Sequence, residues 1–116
     1  MTRSAMMFAV AALMTASPAL AADGAKTFQL QCKTCHAAKS TAMGPSLTGV
    51  AGRKVASLPD FKYSAALTAK GGTWTDASLD TYLAAPLKFA PGGKMMISVT
   101  NPADRAAVAA YLKTLK

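Results

Sequence analysis

The sequence contains few of the residues that form disulfide frameworks and protein-bound metal sites. Its 116 residues include two cysteines and one histidine. The cysteines are separated by two residues, so a disulfide between them would close a very short loop and constrain the unfolded chain little. A structural zinc site takes four nitrogen or sulfur ligands, and these three residues leave one position unfilled. Both possibilities are disfavoured, and we expect a small domain of this size to be stabilised in another way.

Patterns typical of strands and repeats are also absent. No stretch after residue 21 shows the sustained alternation of apolar and polar residues expected of a half-buried strand, and there is no internal repeat. A thioredoxin-like redox pair would need a βαβ setting around its two cysteines, and the sequence has none. The sequence therefore predicts an all-α domain.

The amino-terminal segment has an apolar run that is too short to cross a membrane. A positive start at residues 1–3 precedes an apolar run over residues 5–16, and residues 17–21 end in the small-x-small pattern of a signal-peptidase site. A bilayer span needs about 20 apolar residues. We expect residues 1–21 to be a cleaved signal peptide, with an uncleaved anchor as the alternative. Residues 22–116 then form one domain exported to the bacterial periplasm.

Acidic residues are few, which leaves the chain strongly basic. From residue 22 onward, ten lysines and two arginines stand against five aspartates, a formal charge of +7. The lysines are spread from Lys26 to Lys116 and do not cluster with aromatic residues, so nucleic acid is disfavoured as a partner. The charge favours an acidic protein surface or an acidic membrane.

Helix-start and helix-stop signals predict three helices in the first two thirds of the domain. The first spans residues 24–33. The second spans residues 64–70 and stops at a glycine pair, which suits the left-handed conformation at a helix end. The third begins at the capping residue Thr75 and stops before Pro86.

A fourth helix is predicted at the carboxyl end. Asn101 is its expected cap, and apolar residues follow at helical spacing up to Leu115. We expect this helix to pack on the first one through Phe28. The loops over residues 43–53 and 86–100 are long for a small domain, which suggests that they have a functional role.

One pentapeptide holds both cysteines and the single histidine of the chain. The residues Cys32-Lys33-Thr34-Cys35-His36 form the C-x-x-C-H pattern of covalent haem attachment. Side chains three residues apart on a helical turn face the same way, so both sulfurs can add to vinyl groups of one porphyrin. The His36 imidazole is then held next to the iron as its proximal ligand. We predict one haem c attached through Cys32 and Cys35.

The sixth iron ligand decides between an electron carrier and a site open to substrates. Methionine sulfur suits a carrier, because it is a soft ligand that favours reduced iron and raises the reduction potential. The candidates after residue 21 are Met43, Met95 and Met96. Met43 follows His36 by only seven residues, which makes the opposite haem face difficult to reach. Spacing alone does not separate Met95 from Met96.

Further short stretches match one known family in content and order. They are Gly44-Pro45-Ser46-Leu47-Thr48-Gly49, Gly52-Arg53-Lys54, Phe61-Lys62-Tyr63-Ser64, Trp74, Tyr82-Leu83 with Pro86, Pro91-Gly92-Gly93-Lys94-Met95, and Ala110-Tyr111-Leu112. Together with the haem motif, they make the chain resemble the class I cytochromes c, most closely the small soluble bacterial and mitochondrial type, over residues 24–115. The resemblance implies the class I cytochrome c fold, with about four short helices and long loops wrapped around one covalently bound haem c.

The resemblance also implies roles for residues outside the attachment motif. It assigns the sixth ligand to Met95 and leaves Met96 as packing. The Pro45 carbonyl would accept a hydrogen bond from the ring N–H of His36, which orients the ligand. Tyr82 would approach the Met95 sulfur.

Three donors are implied near a haem propionate. Arg53, Tyr63 and Trp74 match positions whose side chains meet that carboxylate in the family. Such donors offset the cost of burying a charged group.

The resemblance leaves the docking face less basic than the net charge suggests. Gln31 and Leu87 occupy positions that are lysines in many relatives. Lys33, Lys88 and Lys94 are the lysines expected on this face.

The function implied by the resemblance is that of a soluble periplasmic monohaem electron carrier, a monomer and not an enzyme, in a respiratory or photosynthetic chain. Its expected partners are redox proteins with acidic docking surfaces, such as a membrane cytochrome complex, a terminal oxidase, a reaction centre or a periplasmic dehydrogenase. One alternative is a dedicated partner of a single periplasmic dehydrogenase or oxidase, which needs the same fold. Another is a haem sensor or peroxidase with a labile Met95, although the sequence has no second histidine for distal acid–base chemistry.

Overall fold

In the computed structural model, which describes residues 22–116, five α-helices and one π-helical turn are joined by loops. The predicted signal peptide, residues 1–21, lies outside the described residues. Across the described range the only bridge of β type pairs Lys54 with Thr73, and no strand forms. The expected all-α class is confirmed. No helix in residues 22–116 is both long enough and apolar enough to span a membrane.

The first helix leads directly into the cysteine motif. Helix α1, Gly24–Thr27, begins where the Asp23 carboxylate accepts a hydrogen bond from the Lys26 amide at 3.1 Å. It continues as a π-helical turn over Phe28–Cys32, which is closed by the amide of Lys33 donating to the Phe28 carbonyl at 2.9 Å. The predicted first helix is therefore present, with a wider last turn.

The next two helices begin at residues that the sequence marks as caps. Helix α2, Ala65–Lys70, is capped by the Ser64 hydroxyl and ends at Gly71, whose φ of 61° is left-handed. Helix α3, Asp76–Ala84, starts with a reciprocal capping box between Thr75 and Ser78. Both predictions are confirmed.

A short helix lies where the sequence analysis expected only loop. Helix α4, Pro86–Phe89, is a single turn that starts with proline, whose φ already suits a helix. It is closed by the Phe89 amide donating to Ala85 and the Ala90 amide donating to Pro86, at 3.0 and 2.9 Å. One turn is too short to show helical periodicity in a sequence, so four predicted helices become five.

The last helix packs against α1. Helix α5, Pro102–Leu112, is capped by the Asn101 side chain, which accepts from the Ala103 amide at 2.8 Å. The rings of Phe28 and Tyr111 lie 5.1 Å apart between centroids, so the expected contact is confirmed. The helix ends three residues earlier than Leu115, in a turn.

Gly24 lies at the point where α1 and α5 cross. A Cβ added to it would overlap the Ala107 carbonyl oxygen and lie 2.6 Å from the carbonyl carbon of the same residue. These are backbone atoms of a helix and cannot move aside cheaply. The close approach therefore depends on glycine.

We expect Gly24→Val to lower the free energy of unfolding by about 1 to 3 kcal/mol, because it overpacks a contact with backbone. The measurement is denaturant unfolding of the purified, haem-loaded protein. Ala25→Val is the matched control: the residue is exposed on the same helix, and the change should cost less than about 0.7 kcal/mol through helix propensity. Equal losses in the two variants would contradict the close crossing.

Candidate haem-binding cavity

A cavity of about 330 Å³ lies among the helices. Its volume falls within the range of cofactor sites, about 300–1,000 Å³. The walls are mainly apolar, and helices α2, α3 and α5 all contribute to them. The leucine, valine and isoleucine residues of the lining are Leu47, Val50, Leu67, Leu79, Leu83, Ile97, Val108 and Leu112. An apolar enclosure of this kind is suited to the hydrophobic body of a porphyrin.

The cysteine motif forms part of this wall. Cys32, Cys35 and His36 all line the cavity, and both thiols are free. Burial, and to a lesser extent the neighbouring Cys35, raises the pKa of the Cys32 thiol. A redox-active dithiol needs the opposite shift, towards a reactive thiolate. The environment of the pair therefore disfavours thioredoxin-like chemistry.

One ring nitrogen of His36 is engaged by the backbone. His36 Nδ1 lies 2.8 Å from the Pro45 carbonyl oxygen, which is the contact expected in the sequence analysis. As the donor in this bond, Nδ1 leaves Nε2 as the nitrogen available to a metal. Burial lowers the pKa of His36, while the Pro45 hydrogen bond partly opposes the shift. The neutral form, which is the form that binds metals, is favoured.

Gly44 packs against the same imidazole, a role that the sequence analysis did not assign. A Cβ on Gly44 would lie 2.7 Å from the Cys35 carbonyl oxygen and 3.0 Å from His36 Nδ1. The only signal in the sequence is the glycine directly before Pro45. Its absence of a side chain lets the loop approach the histidine closely enough for the hydrogen bond.

Exposure distinguishes the three candidate methionines. All three border the cavity, but the side chains of Met43 and Met96 are 63% and 79% exposed. Met95 is partly buried and packs against the hydrophobic core. Met95 is therefore the least exposed of the three candidates and the one that packs against the core.

The three residues expected at a propionate line the same cavity. The Arg53 guanidinium donates to the carbonyls of Thr48 and Ser46, at 3.0 and 3.1 Å. The Tyr63 hydroxyl oxygen accepts from the Leu58 amide at 3.3 Å, so its own hydrogen is free to donate. These three residues come from separate loops and meet only in the folded chain.

Trp74 is buried in an aromatic cluster with Tyr82 and Phe89. The Trp74 ring lies 5.0 Å from that of Tyr82 and 6.0 Å from that of Phe89, and the latter two pack edge to face at 5.3 Å. Burial raises the pKa of Tyr82, so its phenol stays neutral. Phe89 has no recognisable signal in the sequence, because it reaches the cluster only through helix α4.

The residues present fit a covalently held haem. Two thiols and an imidazole lie on the wall formed by the motif, a thioether is contributed by the 91–100 loop, and the remaining lining is mainly apolar, with Arg53 and Tyr63 among its polar members. Within residues 22–116 no group of three or more His, Cys, Asp or Glu side chains could hold a metal ion alone. An iron in this cavity therefore needs the additional ligands of a porphyrin.

We expect Gly44→Ala to disturb the haem environment, because the new methyl group would push against the His36 ring. The first measurement is the visible spectrum of the purified protein. The second is denaturant unfolding, in which the free energy of unfolding should fall by about 1 to 3 kcal/mol. Gly72→Ala is the control: its φ of 79° strains any side chain, but no atom lies within 4 Å of the new Cβ. That variant should lose stability with an unchanged spectrum, and a matching spectral change in both would contradict the role of Gly44.

Comparison with known proteins agrees with this geometry. The family model for cytochrome c matches residues 21–116. Among curated proteins, cytochrome c2 iso-1 of Magnetospirillum molischianum is 52% identical over 91 residues, which cover 74% of this chain and 91% of the relative. Cytochrome c2 of Rhodomicrobium vannielii is 42% identical over 114 residues, covering 93% of this chain and 91% of the relative.

Solved structures give the same result. Cytochrome cH from Methylobacterium extorquens superposes with a TM-score of 0.74 at 40% identity, over 81% of this chain and 97% of that one. Ferricytochrome c2 from Rhodopseudomonas palustris superposes with a TM-score of 0.73 at 36% identity, over 80% of this chain and 96% of that one. With a family model that spans the whole described domain, the chain belongs to the cytochrome c family.

Proposed function

We propose that this chain is a soluble monohaem electron carrier and not an enzyme, with one haem c attached through Cys32 and Cys35. The observation that carries the proposal is a single apolar cavity lined by both thiols, the imidazole of His36 and the thioether of Met95. Membership of the cytochrome c family implies the covalent haem. We also propose that residues 1–21 direct export to the periplasm, where the protein acts as a monomer.

Each residue of the site has a distinct task. The bound haem supplies one-electron chemistry through its iron. The thiols of Cys32 and Cys35 tether the macrocycle by adding across its vinyl groups. His36, oriented by Pro45 at 2.8 Å, offers Nε2 as the fifth ligand. The Met95 thioether is the proposed sixth ligand, a soft donor that favours the reduced iron.

The polar rim of the cavity would neutralise the haem carboxylates. We propose that the Arg53 guanidinium, the Tyr63 hydroxyl and the Trp74 indole meet a propionate. All three border the cavity, and Arg53 already has two backbone acceptors that hold it in position. We also propose that Tyr82 lies near the Met95 sulfur.

A carrier is favoured over a sensor or a peroxidase by the packing of Met95. An open iron site requires this ligand to leave, and Met95 packs against the core. The chain has one histidine, so no second imidazole can serve as a distal acid or base. A dedicated partner of one periplasmic dehydrogenase or oxidase would use the same site and differs only in the protein it meets.

The partners we propose are redox proteins with acidic docking surfaces: a membrane cytochrome complex, a terminal oxidase, a reaction centre or a periplasmic dehydrogenase. The exposed side chains of Lys33 and Lys88 support this proposal. Lys94 is also exposed, but its ammonium group is directed to the Lys62 carbonyl at 2.6 Å. The exposed side chains of Met96 and Ile97 border the cavity mouth and would add apolar contact.

Replacing Met95 by Ala should open the iron to added ligands, abolish the weak ferric Met-to-iron absorption band and lower the reduction potential. Met96→Ala is the matched control, since its side chain is 79% exposed, and it should leave all three measurements nearly unchanged. Spectroscopy and redox titration of the two variants provide the test. If Met96→Ala caused these changes and Met95→Ala did not, the sixth ligand would be Met96.

The second test concerns the partner. Oriented charge raises association rates by about 10- to 1,000-fold at low salt, so electron-transfer rates with an acidic partner should fall steeply as salt rises. Lys33→Glu should reduce the low-salt rate more than Lys116→Glu, because Lys33 follows a haem-attachment cysteine and Lys116 lies beyond α5. Stopped-flow kinetics would measure both. Equal effects would mean that net charge alone matters and that the docking face is elsewhere.

A further inference from the structure

The segment that carries Met95 has little support from its own backbone. Gly93 donates to Ala90 at 3.0 Å at one end, and Val99 donates to Leu83 at 2.8 Å at the other. Among the described residues, no hydrogen bond between backbone groups involves residues 94–98. Contacts made by side chains must therefore hold this segment in place.

Arg105 contacts the downstream end of the segment. From helix α5, its Nη1 donates to the carbonyls of Val99 and Thr100, at 3.0 and 2.9 Å. Its Nε donates to Asp80 on α3 at 2.7 Å, and the Arg105 side chain is only 13% exposed. A cation with this little exposure is stabilised by such partners, and the rigid guanidinium fork serves all three acceptors together.

Lys94 contacts the upstream end from within the segment. Its Nζ donates to the Lys62 carbonyl at 2.6 Å and lies 5.2 Å from the centroid of the Phe61 ring. Phe61 is itself part of the cavity wall. Lys94 therefore links the segment to a loop 32 residues earlier in the chain.

We propose that Arg105 and Lys94 are positioning residues for Met95, which anchor the two ends of its segment and keep the thioether at the iron. The proposal rests on the proposed role of Met95 as sixth ligand. Local opening of a loop depends on the few contacts that tie it down. Loss of an anchor then raises the fraction of molecules in which Met95 has left the iron. Arg105 dominates because its side chain is only 13% exposed and makes three hydrogen bonds, whereas Lys94 is exposed.

The rival explanation is that Arg105 only joins α3 to α5 through its ion pair with Asp80. The chain offers a control for this, because Lys113, the residue directly after α5, pairs with Asp76 on α3 at 2.9 Å, with both side chains more exposed, at 53% and 68%. That pair connects the same two helices without any contact to the Met95 segment. Lys113→Met therefore removes one positive charge and one ion pair, and it leaves the hydrogen bonds to the Met95 segment in place.

The experiment compares haem-loaded Arg105→Met, Lys94→Met and Lys113→Met with the unchanged protein. Imidazole binding to the ferric form measures how readily Met95 leaves, and the hydrogen exchange rate of the Val99 amide measures opening of the segment. Arg105→Met should raise imidazole affinity and Val99 exchange by about tenfold or more, because a hydrogen bond from a charged donor is worth at least a decade in an equilibrium constant. Lys94→Met should raise imidazole affinity by about two- to fivefold, and Lys113→Met by less than about twofold.

Two further variants separate the carbonyl contacts from the ion pair. Asp80→Asn leaves the bonds to Val99 and Thr100 in place and should have a smaller effect than Arg105→Met. Arg105→Lys keeps the charge but replaces the two donor atoms Nε and Nη1 by one nitrogen, so its effect should be intermediate. If Arg105→Met fails to fold, Arg105→Lys allows the same comparison.

The proposal is overturned if Arg105→Met and Lys113→Met act alike, if Asp80→Asn matches Arg105→Met, or if Arg105→Met leaves imidazole affinity and Val99 exchange unchanged. Failure of the ligand assignment gives a different result. In that case Met95→Ala leaves the ferric absorption band intact, while Val99 exchange still responds to Arg105, because amide exchange does not depend on which atom binds the iron.

Discussion

The close crossing of α1 and α5 at Gly24 is the contact on which the rest of the site depends. Helix α1 continues through a π-helical turn into the residues that hold Cys32 and His36. Helix α5 supplies Val108 and Leu112 to the cavity wall. Because glycine lets the two backbones meet, the attachment motif and the apolar wall are brought to a separation that leaves a cavity of about 330 Å³ between them. A side chain at this point would change that separation.

Cations stabilise the loops of this protein from within. Arg53 donates to two loop carbonyls, Arg105 donates to two others, and Lys94 donates to one. Loops leave many backbone carbonyls without a secondary-structure partner, and a desolvated carbonyl without one is costly. Part of the high positive charge of the chain is thus structural. The attraction of an acidic partner therefore accounts for only part of the positive charge.

A carrier needs an iron site that changes little between its two oxidation states, and the structure supplies rigidity from several directions. Pro45 orients His36, Gly44 permits that contact, and Trp74 and Tyr82 line the cavity with packed neutral rings. The exposed apolar side chains at the cavity mouth can be desolvated at low cost when another protein approaches. The same fold therefore combines a fixed interior with an adaptable surface.

The sequence by itself determined the helix boundaries with strong caps, the attachment motif and the basic charge. Thr75 and Asn101 cap helices by accepting hydrogen bonds from amides no more than three residues later, and Cys32 and Cys35 are one helical turn apart. Residues close in sequence were therefore sufficient to predict these features. Helix α4 was missed because one turn shows no periodicity. The residues alone could not separate Met95 from Met96, nor could they reveal the role of Gly44 or the hydrogen bonds of Arg105. The Arg105 side chain, for example, bonds to a residue 25 positions earlier, and only the packing of distant segments brings such residues together.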